Sequence, residues 1–453
     1  MNTKELFFIL HRAADGSILL VREGSIWRLP AYPGPVPEDI GFVDPHPFND
    51  WFTDRYGIPV KRRYPLVMPE ADEAFFVLES EPSADALTQE VSWIKAADLN
   101  RLVMQPSAHQ DLLRNWSKTP PQSATVPAAA PAGYQASLSW MHQHLENRKT
   151  PLTGPIRQIK NAYVSTVFQG PTRNGSVYLK IIPPVFIREV EITTQLAEWG
   201  FVRLPEMIAL SPERGLILSQ DMGGCDLTDC PTRPHMEALL RTYAQIQLAA
   251  IDRIKPQSPA PFYDTRLSLL SDQLEALFAS ATAHLEGSPY ALNADEKHRL
   301  QRQLPTWRQR CQSILQTPLP DTLDHGDLRP GNIRITADGL ILYDWAWSAL
   351  THPFVGVVGF LHIIRRTLDS DDRNFLRDTY LESWSNYASG DQLRRLFDQV
   401  AEILPLLAVA IDGAWLKAIE QALQGRPPVP LSTDAYTLGW RQYYHNKVLR
   451  RLF

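Results

Sequence analysis

Two acids and an amide lie close together in the second half of the sequence. Asp327 and Asn332 bracket a short loop, and Asp338-Gly339 then turns the chain so that a second strand returns to Asp344. A carboxylate can accept a hydroxyl proton, and amide and carboxylate oxygens are ligands that Mg²⁺ prefers. Asp and Asn are also frequent in solvated turns, but the full order of loop, hairpin and second acid favours phosphoryl transfer over that alternative. The spacing therefore predicts Asp327 as a base, with Asn332 and Asp344 as Mg²⁺ ligands.

Apolar segments with regular spacing predict the elements that position these side chains. Residues 137–222 are predicted to contain helices at 137–147 and 186–199 and strands at 159–168, 176–182, 207–210 and 216–219. From residue 235 onward the main predicted elements are helices, at 236–251, 267–277, 294–315 and 373–387. A small sheet lobe therefore precedes a large helical lobe.

The segment before residue 118 predicts a further small domain. Its strands are predicted at 6–10, 18–21 and 74–78, and its helices at 49–56 and 96–102. A stretch rich in Pro and Ala follows, and such a composition forms an extended linker. We therefore expect an N-terminal domain at 1–117, a linker at 118–136, a sheet lobe at 137–222 and a helical lobe at 223–453. The fold class is α+β.

Three motifs occur in a known order after the linker. They are His-Gly-Asp at 325–327 with Asn332, Tyr-Asp-Trp at 343–345, and the strand 177–180 that ends in a lysine. In these motifs the chain resembles the aminoglycoside phosphotransferase and choline kinase superfamily, from about residue 137 to the C-terminus. The resemblance implies a bilobal, protein-kinase-like fold. It also implies an enzyme that uses ATP and Mg²⁺ to phosphorylate a hydroxyl of a small molecule, such as a sugar, an amino alcohol, an aminoglycoside-like compound or another metabolite.

The resemblance assigns Lys180 to the α- and β-phosphates of ATP, held by a carboxylate from the next helix. We expect Glu189 to supply that carboxylate, because it shares an inward stripe with apolar residues three, seven and ten positions later. Glu191 points away from that stripe. Lys180 and Glu189 are therefore the expected phosphate-binding pair.

The remaining expected site residues also follow from the resemblance. The nucleotide-binding set is completed by Ser165 and Thr166 in a phosphate-covering turn and by the backbone around Gln220 and Met222, which would contact adenine. The catalytic set comprises Asp327, His325 and Arg329. The metal set comprises Asn332 and Asp344.

Departures from the family pattern keep an alternative function open. The turn at 161–166 has no glycine, although a backbone cradle for phosphate usually needs one. Ala346 and Gly356 occupy positions where the family often has acids, and the second of those acids usually braces the catalytic loop. The alternative is a nucleotide-binding pseudokinase or scaffold protein without phosphotransfer activity. The presence of the strand lysine and of both acids and the amide favours a working kinase.

The N-terminal domain resembles a Nudix domain, an α/β/α sandwich, in the segments 27–34, 56–58 and 91–99. In Nudix hydrolases one helix carries acids that collect Mg²⁺ against a pyrophosphate. At the corresponding positions, 50–55, only Asp54 keeps a carboxylate in place. We therefore expect a Nudix-like scaffold without hydrolase activity, with Trp51 and Phe52 in its core.

Composition and charge exclude several other classes of protein. Of 453 residues, 44% are hydrophobic and 21% charged, which is ordinary for a globular protein. The formal net charge is −5 and the densest basic cluster is only residues 61–63, so no nucleic-acid footprint is visible. The uncharged segment 345–364 contains a proline and two glycines, which argues against a membrane span.

The three cysteines, Cys225, Cys230 and Cys311, are too few for a disulfide framework. We interpret Cys225 and Cys230 as reduced loop cysteines rather than as half of a metal site. The sequence assigns no oligomeric state. We expect a cytoplasmic enzyme with a small-molecule partner and with neither a nucleic-acid nor a membrane partner.

Overall fold

A computed structural model of the chain describes residues 5–12, 15, 17–34, 46–67, 73–80, 90–118, 134–162, 165–254, 261–317, 319–423, 441 and 444–452. The chain divides into two units. The first is drawn from Met1–Ile187, Ile208–Gln220 and Ile419–Thr437, and the second from Arg188–Met207, Asp221–Ala418 and Leu438–Phe453. Most of the expected linker lies outside the described residues.

Seven strands of the first unit form a mixed sheet near the N-terminus. They are β1 (Glu5–His11), β2 (Ser17–Glu23), β3 (Ile26–Arg28), β4 (Ala31–Tyr32), β5 (Val60–Val67), β6 (Glu73–Ser80) and β7 (Val91–Lys95). The main order is β3-β2-β1-β6-β5, in which β1 and β6 are parallel, while β4 pairs with β1 and β7 with β2. The strands expected at 6–10, 18–21 and 74–78 are confirmed.

A helix covers each face of this sheet, because successive strand residues point to opposite sides. The helices are α1 (His46–Tyr56) and α2 (Ser107–Lys118). On one face Phe52 of α1 packs against Phe8, with ring centroids 5.4 Å apart. On the other face His109 of α2 packs against Phe7 at 4.5 Å. The arrangement has the layers of the expected sandwich, whereas assignment to the Nudix family stays a prediction.

The second sheet of the first unit has five strands in the order β11-β12-β10-β9-β8. After α3 (Gln135–Asn147), the strands are β8 (Arg157–Ala162), β9 (Ser165–Thr172), β10 (Gly175–Ile181), β11 (Met207–Ser211) and β12 (Leu216–Gln220). The single strand predicted at 159–168 was wrong, because β8 and β9 are two antiparallel strands in which Ala162 pairs with Ser165. No glycine or proline marks that reversal in the sequence.

The two sheets of the first unit share one apolar cluster. Phe75 of β6, Leu113 of α2, Met141 of α3, and Phe168 and Leu179 of the second sheet all belong to it and are buried. The N-terminal sandwich and the sheet lobe therefore remove apolar surface from water in common.

The second unit is mainly helical. Its helices are α4 (Arg188–Trp199), α5 (Arg233–Ile251), α6 (Leu267–Asp272), α7 (Leu274–Ala283), α8 (Ala294–Leu315), α9 (Val355–Ile363), α10 (Ser370–Glu382) and α11 (Gly390–Leu423), of which α11 belongs to this unit up to Ala418. Helix α8 begins at a capping box of Asn293 and Glu296, which satisfies backbone N–H groups of the first turn. The helix expected at 267–277 is interrupted at Gln273. The helix expected at 294–315 has those bounds, and those expected at 236–251 and 373–387 are confirmed with shifted ends.

Two small sheets lie among these helices. Their strands are β13 (Cys225–Asp226), β14 (Tyr263–Asp264), β15 (Thr322–Asp324), β16 (Ile333–Thr336), β17 (Gly339–Leu342) and β18 (Ala349–Thr351), in the orders β13-β16-β17 and β14-β18-β15. The interpretation of Cys225 and Cys230 as reduced was wrong, because the turn after β13 brings them together in a disulfide. Within the described ranges, no helix has the length and apolar character needed to cross a membrane.

Candidate active site

The loop between β15 and β16 carries Asp327 and is anchored at both ends. Strand β15 ends at Asp324 and pairs with β18, and β16 begins at Ile333 and pairs with β17. The β16–β17 hairpin closes with Thr336 opposite Gly339, whose φ of 119° suits glycine. The predicted sequence of loop, hairpin and second acid is therefore confirmed, and the hairpin leads back toward the loop.

Asp327 is held along one edge of its carboxylate. The amide Nδ2 of Asn332, a residue only 2% exposed, donates to the backbone oxygen and to Oδ2 of Asp327, at 2.9 Å in each case. The Nε atom of Arg329 lies 3.0 Å from the same Oδ2. Both side-chain contacts fall on Oδ2, which leaves Oδ1 without a side-chain hydrogen bond among the described residues.

The surroundings of Asp327 also change its basicity. Burial raises the pKa of the Asp327 carboxyl, and the charge of Asp344 raises it further. The Arg329 guanidinium and the hydrogen bond from Asn332 act in the opposite direction on the same pKa, but burial prevails. A carboxylate with a raised pKa is a stronger base near neutral pH.

Asp344 follows the hairpin and lies near the same loop. The preceding residue, Tyr343, donates its backbone N–H to the backbone oxygen of Asn332 at 3.1 Å. The charge of Asp344 raises the pKa values of both Asp327 and His325, which places its carboxylate within electrostatic range of both. Its backbone has a φ of 65°, a left-handed conformation that costs a residue other than glycine about 1–2 kcal/mol. Such strain is typical of functional positions.

His325 is fully buried and shapes the loop from inside. Burial lowers the pKa of its imidazole to about 4, so the ring is neutral at physiological pH. Nε2 lies 3.1 Å from the backbone oxygen of Tyr343, while Nδ1 accepts the backbone N–H of Asp327 at 3.4 Å. The proton of the neutral ring is therefore on Nε2, and His325 links the two segments that carry the acids.

Asp324 is a functional residue that our sequence analysis missed. It is 2% exposed, and its Oδ1 accepts the backbone N–H of Gly326 at 2.7 Å. Its Oδ2 accepts the Tyr243 hydroxyl at 3.0 Å and the backbone N–H of Gly356 at 2.8 Å. The Tyr243 oxygen in turn accepts the backbone N–H of His325 at 2.8 Å. One buried carboxylate thus stabilises the turn that presents Asp327.

The glycine at 356 has a physical reason in this arrangement. A Cβ atom at Gly356 would overlap Oδ2 of Asp324, so only glycine allows the start of α9 to approach the carboxylate. The N-terminal end of a helix also favours a negative charge. The acid that the family often has at position 356 is absent, and the carboxylate of Asp324 forms hydrogen bonds to the loop in this chain. The available signal was an acid directly before the His-Gly-Asp motif.

The expected residues of the sheet lobe lie in the first unit. Lys180 is half-buried near the end of β10, opposite Val167 of β9 and Ile217 of β12. Ser165 and Thr166 begin β9 and are buried. Tyr163 and Val164, which complete the expected phosphate-covering turn, lie outside the described residues.

The other expected residues of the nucleotide site divide between the two units. Gln220 ends β12 in the first unit, and its Nε2 donates to the backbone oxygens of Asn174 and Ser176, at 3.1 Å each. In the second unit Glu189 is 5% exposed on α4, whereas Glu191 is exposed, as the predicted stripe requires. Met222 follows β12 and is half-buried. The structure therefore gathers the catalytic and metal sets around one loop, and the nucleotide-binding roles stay predictions.

Comparison with known families tests this interpretation independently. Residues 155–403, more than half of the chain, match the sequence model of the phosphotransferase enzyme family. The chain belongs to this family. It is therefore a small-molecule kinase, and its sheet lobe and helical lobe have the protein-kinase-like fold. No curated protein matches the sequence.

Solved structures to which the chain is similar include several kinases at low sequence identity. A macrolide 2'-phosphotransferase type I is 13% identical, with a TM-score of 0.43 over 68% of this chain and 95% of that one. The choline kinase LicA from Streptococcus pneumoniae is 12% identical, with a TM-score of 0.42 over 70% and 99%. An amicoumacin kinase in complex with AMP-PNP and Ca²⁺ is 14% identical, with a TM-score of 0.40 over 71% and 99%.

Proposed function

We propose that this kinase transfers the γ-phosphate of ATP to a hydroxyl group of a small molecule, with Asp327 as the catalytic base. The observation that carries the proposal is that the side chains of Asn332 and Arg329 both contact the same carboxylate oxygen of Asp327, Oδ2. In the reaction, the acceptor oxygen forms a bond to the γ-phosphorus as the bond to the β,γ-bridging oxygen breaks and ADP leaves. The acceptor's proton passes to Oδ1 of Asp327.

The residues present fit a magnesium ion. The Nδ2 of Asn332 is committed to Asp327, which leaves its Oδ1 as a ligand atom, and the Asp344 carboxylate supplies a second hard oxygen. Among the described residues no three His, Cys, Asp or Glu side chains cluster as a metal site, so the proposed protein ligands are this amide and this carboxylate. When bound with ATP, Mg²⁺ supplies neutralisation of the charge that develops on the phosphates.

The nucleotide contacts are proposed from the family resemblance. Lys180 binds the α- and β-phosphates, with Glu189 as its partner carboxylate. The proposed turn over the phosphates comes directly before Ser165 and Thr166, whose buried side chains begin β9 and are therefore not themselves phosphate ligands. The backbone from Gln220 to Met222 contacts adenine. Support comes from the position of Lys180 near the end of β10 and from the burial of Glu189 rather than Glu191.

For the N-terminal sandwich we propose a Nudix-like scaffold without hydrolase activity. At the positions where a Nudix helix carries its acids, Phe52 is fully buried and Trp51 is stacked on Phe8 at 5.5 Å. Arg55 forms an exposed ion pair with Glu90 at 3.0 Å. Aromatic rings packed into the sheet cannot serve as metal ligands, which supports a structural role for α1.

The alternative function, a nucleotide-binding pseudokinase, had two supports in the sequence. One was Gly356 in place of an acid, and the carboxylate of Asp324 now provides the hydrogen bonds to the catalytic loop. The other, the turn at 161–166 without glycine, remains. The structure thus favours the kinase.

The first experiment is an acceptor screen. The full chain is incubated with ATP, Mg²⁺ and a library of hydroxyl metabolites, and mass spectrometry identifies products heavier by one phosphate group. We expect at least one product, and we expect Asp327→Asn to lower its rate of formation by about 10²–10⁴-fold, the usual contribution of a general base. Mg²⁺-dependent binding of ATP by the wild type, with no product from a broad panel, would instead support the pseudokinase.

A further inference from the structure

A buried chain of polar side chains runs through the first unit from α1 to the β8–β9 hairpin. It starts at Asn49 of α1, whose Nδ2 donates to Oε1 of Gln158 on β8 at 3.1 Å. Gln158 Nε2 donates to the hydroxyl of Tyr134 at 3.4 Å, and Asn161 Nδ2 donates to the same oxygen at 3.2 Å. That hydroxyl is also 3.4 Å from Oγ1 of Thr166. All five residues are buried, so water does not replace these bonds cheaply.

Counting donors and acceptors gives this chain of hydrogen bonds a direction, from Asn49 through Gln158 to Tyr134. A tyrosine hydroxyl has one proton and two lone pairs. The amides of Gln158 and Asn161 both donate to the Tyr134 oxygen, which also lies within hydrogen-bond distance of Oγ1 of Thr166. The same orientation of Gln158 lets its Oε1 accept from Asn49. Each bond therefore polarises the next, and the arrangement at one end depends on the other.

Asn161 and Thr166 are directly opposite each other across the hairpin. They form the pair of residues next to the last one, Ala162 with Ser165, before the chain reverses. Side chains of such a cross-strand pair lie close together, and here both converge on the Tyr134 hydroxyl. Tyr134 itself stands at the start of α3 and is held by edge contact with Phe168, at 4.9 Å between ring centroids. The Tyr134 hydroxyl therefore contacts both strands of the hairpin, through Asn161 of β8 and Thr166 of β9.

We propose that the N-terminal sandwich and Tyr134 are positioning elements for the phosphate-covering turn. The proposal rests on the proposed function, in which this hairpin lies over the phosphates of ATP. Residues 161–166 contain no glycine, the residue whose backbone adapts most readily to phosphate, and the proposal therefore requires the flanking strands to be held in place by other elements. The Tyr134 hydroxyl holds them, and Asn49 connects that hydroxyl to α1. The sandwich would then contribute to nucleotide binding by the kinase without catalysing a reaction itself.

The test separates binding of phosphates from binding of the nucleoside. Dissociation constants for AMP-PNP with Mg²⁺, and for adenosine, are measured by calorimetry on the full chain carrying Tyr134→Phe or Asn49→Ala. Since one neutral hydrogen bond is involved in each case, we expect AMP-PNP to bind about three- to ten-fold more weakly, with adenosine unchanged. A general loss of structure would instead weaken the binding of AMP-PNP and of adenosine together.

Matched controls remove similar groups that lie outside this chain of hydrogen bonds. Tyr56→Phe deletes the hydroxyl of another buried tyrosine of the first unit, and Thr53→Ala deletes a hydroxyl that bonds within α1 to the backbone of Asn49. Both should leave the two dissociation constants at the wild-type values. The positioning role is wrong if the Tyr134→Phe and Asn49→Ala proteins bind AMP-PNP as tightly as these control proteins. It is also wrong if the two substitutions weaken the binding of adenosine as much as the binding of AMP-PNP. Failure of the wild type to bind AMP-PNP would overturn the proposed function itself.

Discussion

Two acids three positions apart, Asp324 at the end of β15 and Asp327 in the loop that follows, differ in how their carboxylate oxygens are used. Asp327 keeps one carboxylate oxygen available, whereas both oxygens of Asp324 are used for hydrogen bonds inside the protein. A buried carboxylate is tolerated only when such bonds compensate its lost hydration. Burial raises the pKa of Asp324, and the hydrogen bonds from Gly326, Tyr243 and Gly356 lower it. The family motif located Asp327, but only the three-dimensional contacts show what Asp324 does.

Replacing Asp324 with Asn should slow catalysis without abolishing folding. The amide keeps the shape of the side chain but turns one acceptor into a donor that faces N–H or O–H groups. We expect kcat to fall about 10- to 100-fold, because small displacements of a catalytic group have effects of that size. The KM for ATP should change less than the kcat, as measured by steady-state kinetics with the acceptor found in the screen.

Asp321→Asn is the matched control, since it changes another partly buried acid just before the same loop. Its kcat should stay near the wild-type value. An Asp324→Asn enzyme as fast as this control would show that the carboxylate does not position the loop.

The acid limb of the pH profile should report Asp327. The base works only when deprotonated, so kcat/KM falls as pH decreases through the pKa of Asp327, which burial raises above the usual value. The charge of Arg329 lowers this pKa, so Arg329→Gln should shift the acid limb to higher pH. The measurement is kcat/KM against pH for the wild type and the variant.

Arg310→Gln provides a comparison, because Arg310 pairs with Glu402, outside the catalytic loop. Its profile should match the wild type. A shift of the limb to lower pH in Arg329→Gln would rule out Asp327 as the group that titrates there.

At the scale of elements, the spacing of apolar residues predicted the long helices and most strands. It failed where a helix or strand ends without a residue type that usually marks an end. The strand interval 159–168 contains a reversal without glycine or proline, and α6 and α7 separate at Gln273, which has no helix-breaking side chain. Helix α11 continues through Pro405, where a proline usually argues for an end. In each case packing against other elements overrides local preference, and packing is not visible in a single sequence.

The connection into β13 offers a test of close packing between elements. Gly223 and Gly224 both have positive φ, of 63° and 65°. A Cβ at Gly223 meets nothing, whereas one at Gly224 would overlap the backbone oxygen of Ile335 on β16. We expect Gly223→Ala to lower the free energy of unfolding by about 1–2 kcal/mol through strain alone, and Gly224→Ala to lower it further. Chemical denaturation measures both, and equal losses would contradict the close approach.

At the scale of the whole molecule, sequence shows which residues are apolar but not what they pack against. The Pro- and Ala-rich segment predicted a boundary at 118–136, and domain limits drawn there stay a prediction. The structure adds that apolar residues from before and after that segment form one cluster within the first unit. Phe75 and Met141 were both predictable as members of regular elements, yet their common burial depends on tertiary structure. The same limit applies to Asn49 and Gln158, whose hydrogen bond joins residues on the two sides of that segment.

The contact between Asp324 and Gly356 also has a consequence for laboratory evolution. Because the carboxylate of one residue fills the space that a side chain of the other would need, neither position can be varied alone at low cost. Libraries that randomise both codons together should recover active clones in which the acid has moved to 356 and a small residue stands at 324. Libraries that randomise only one should return mostly the parental residue.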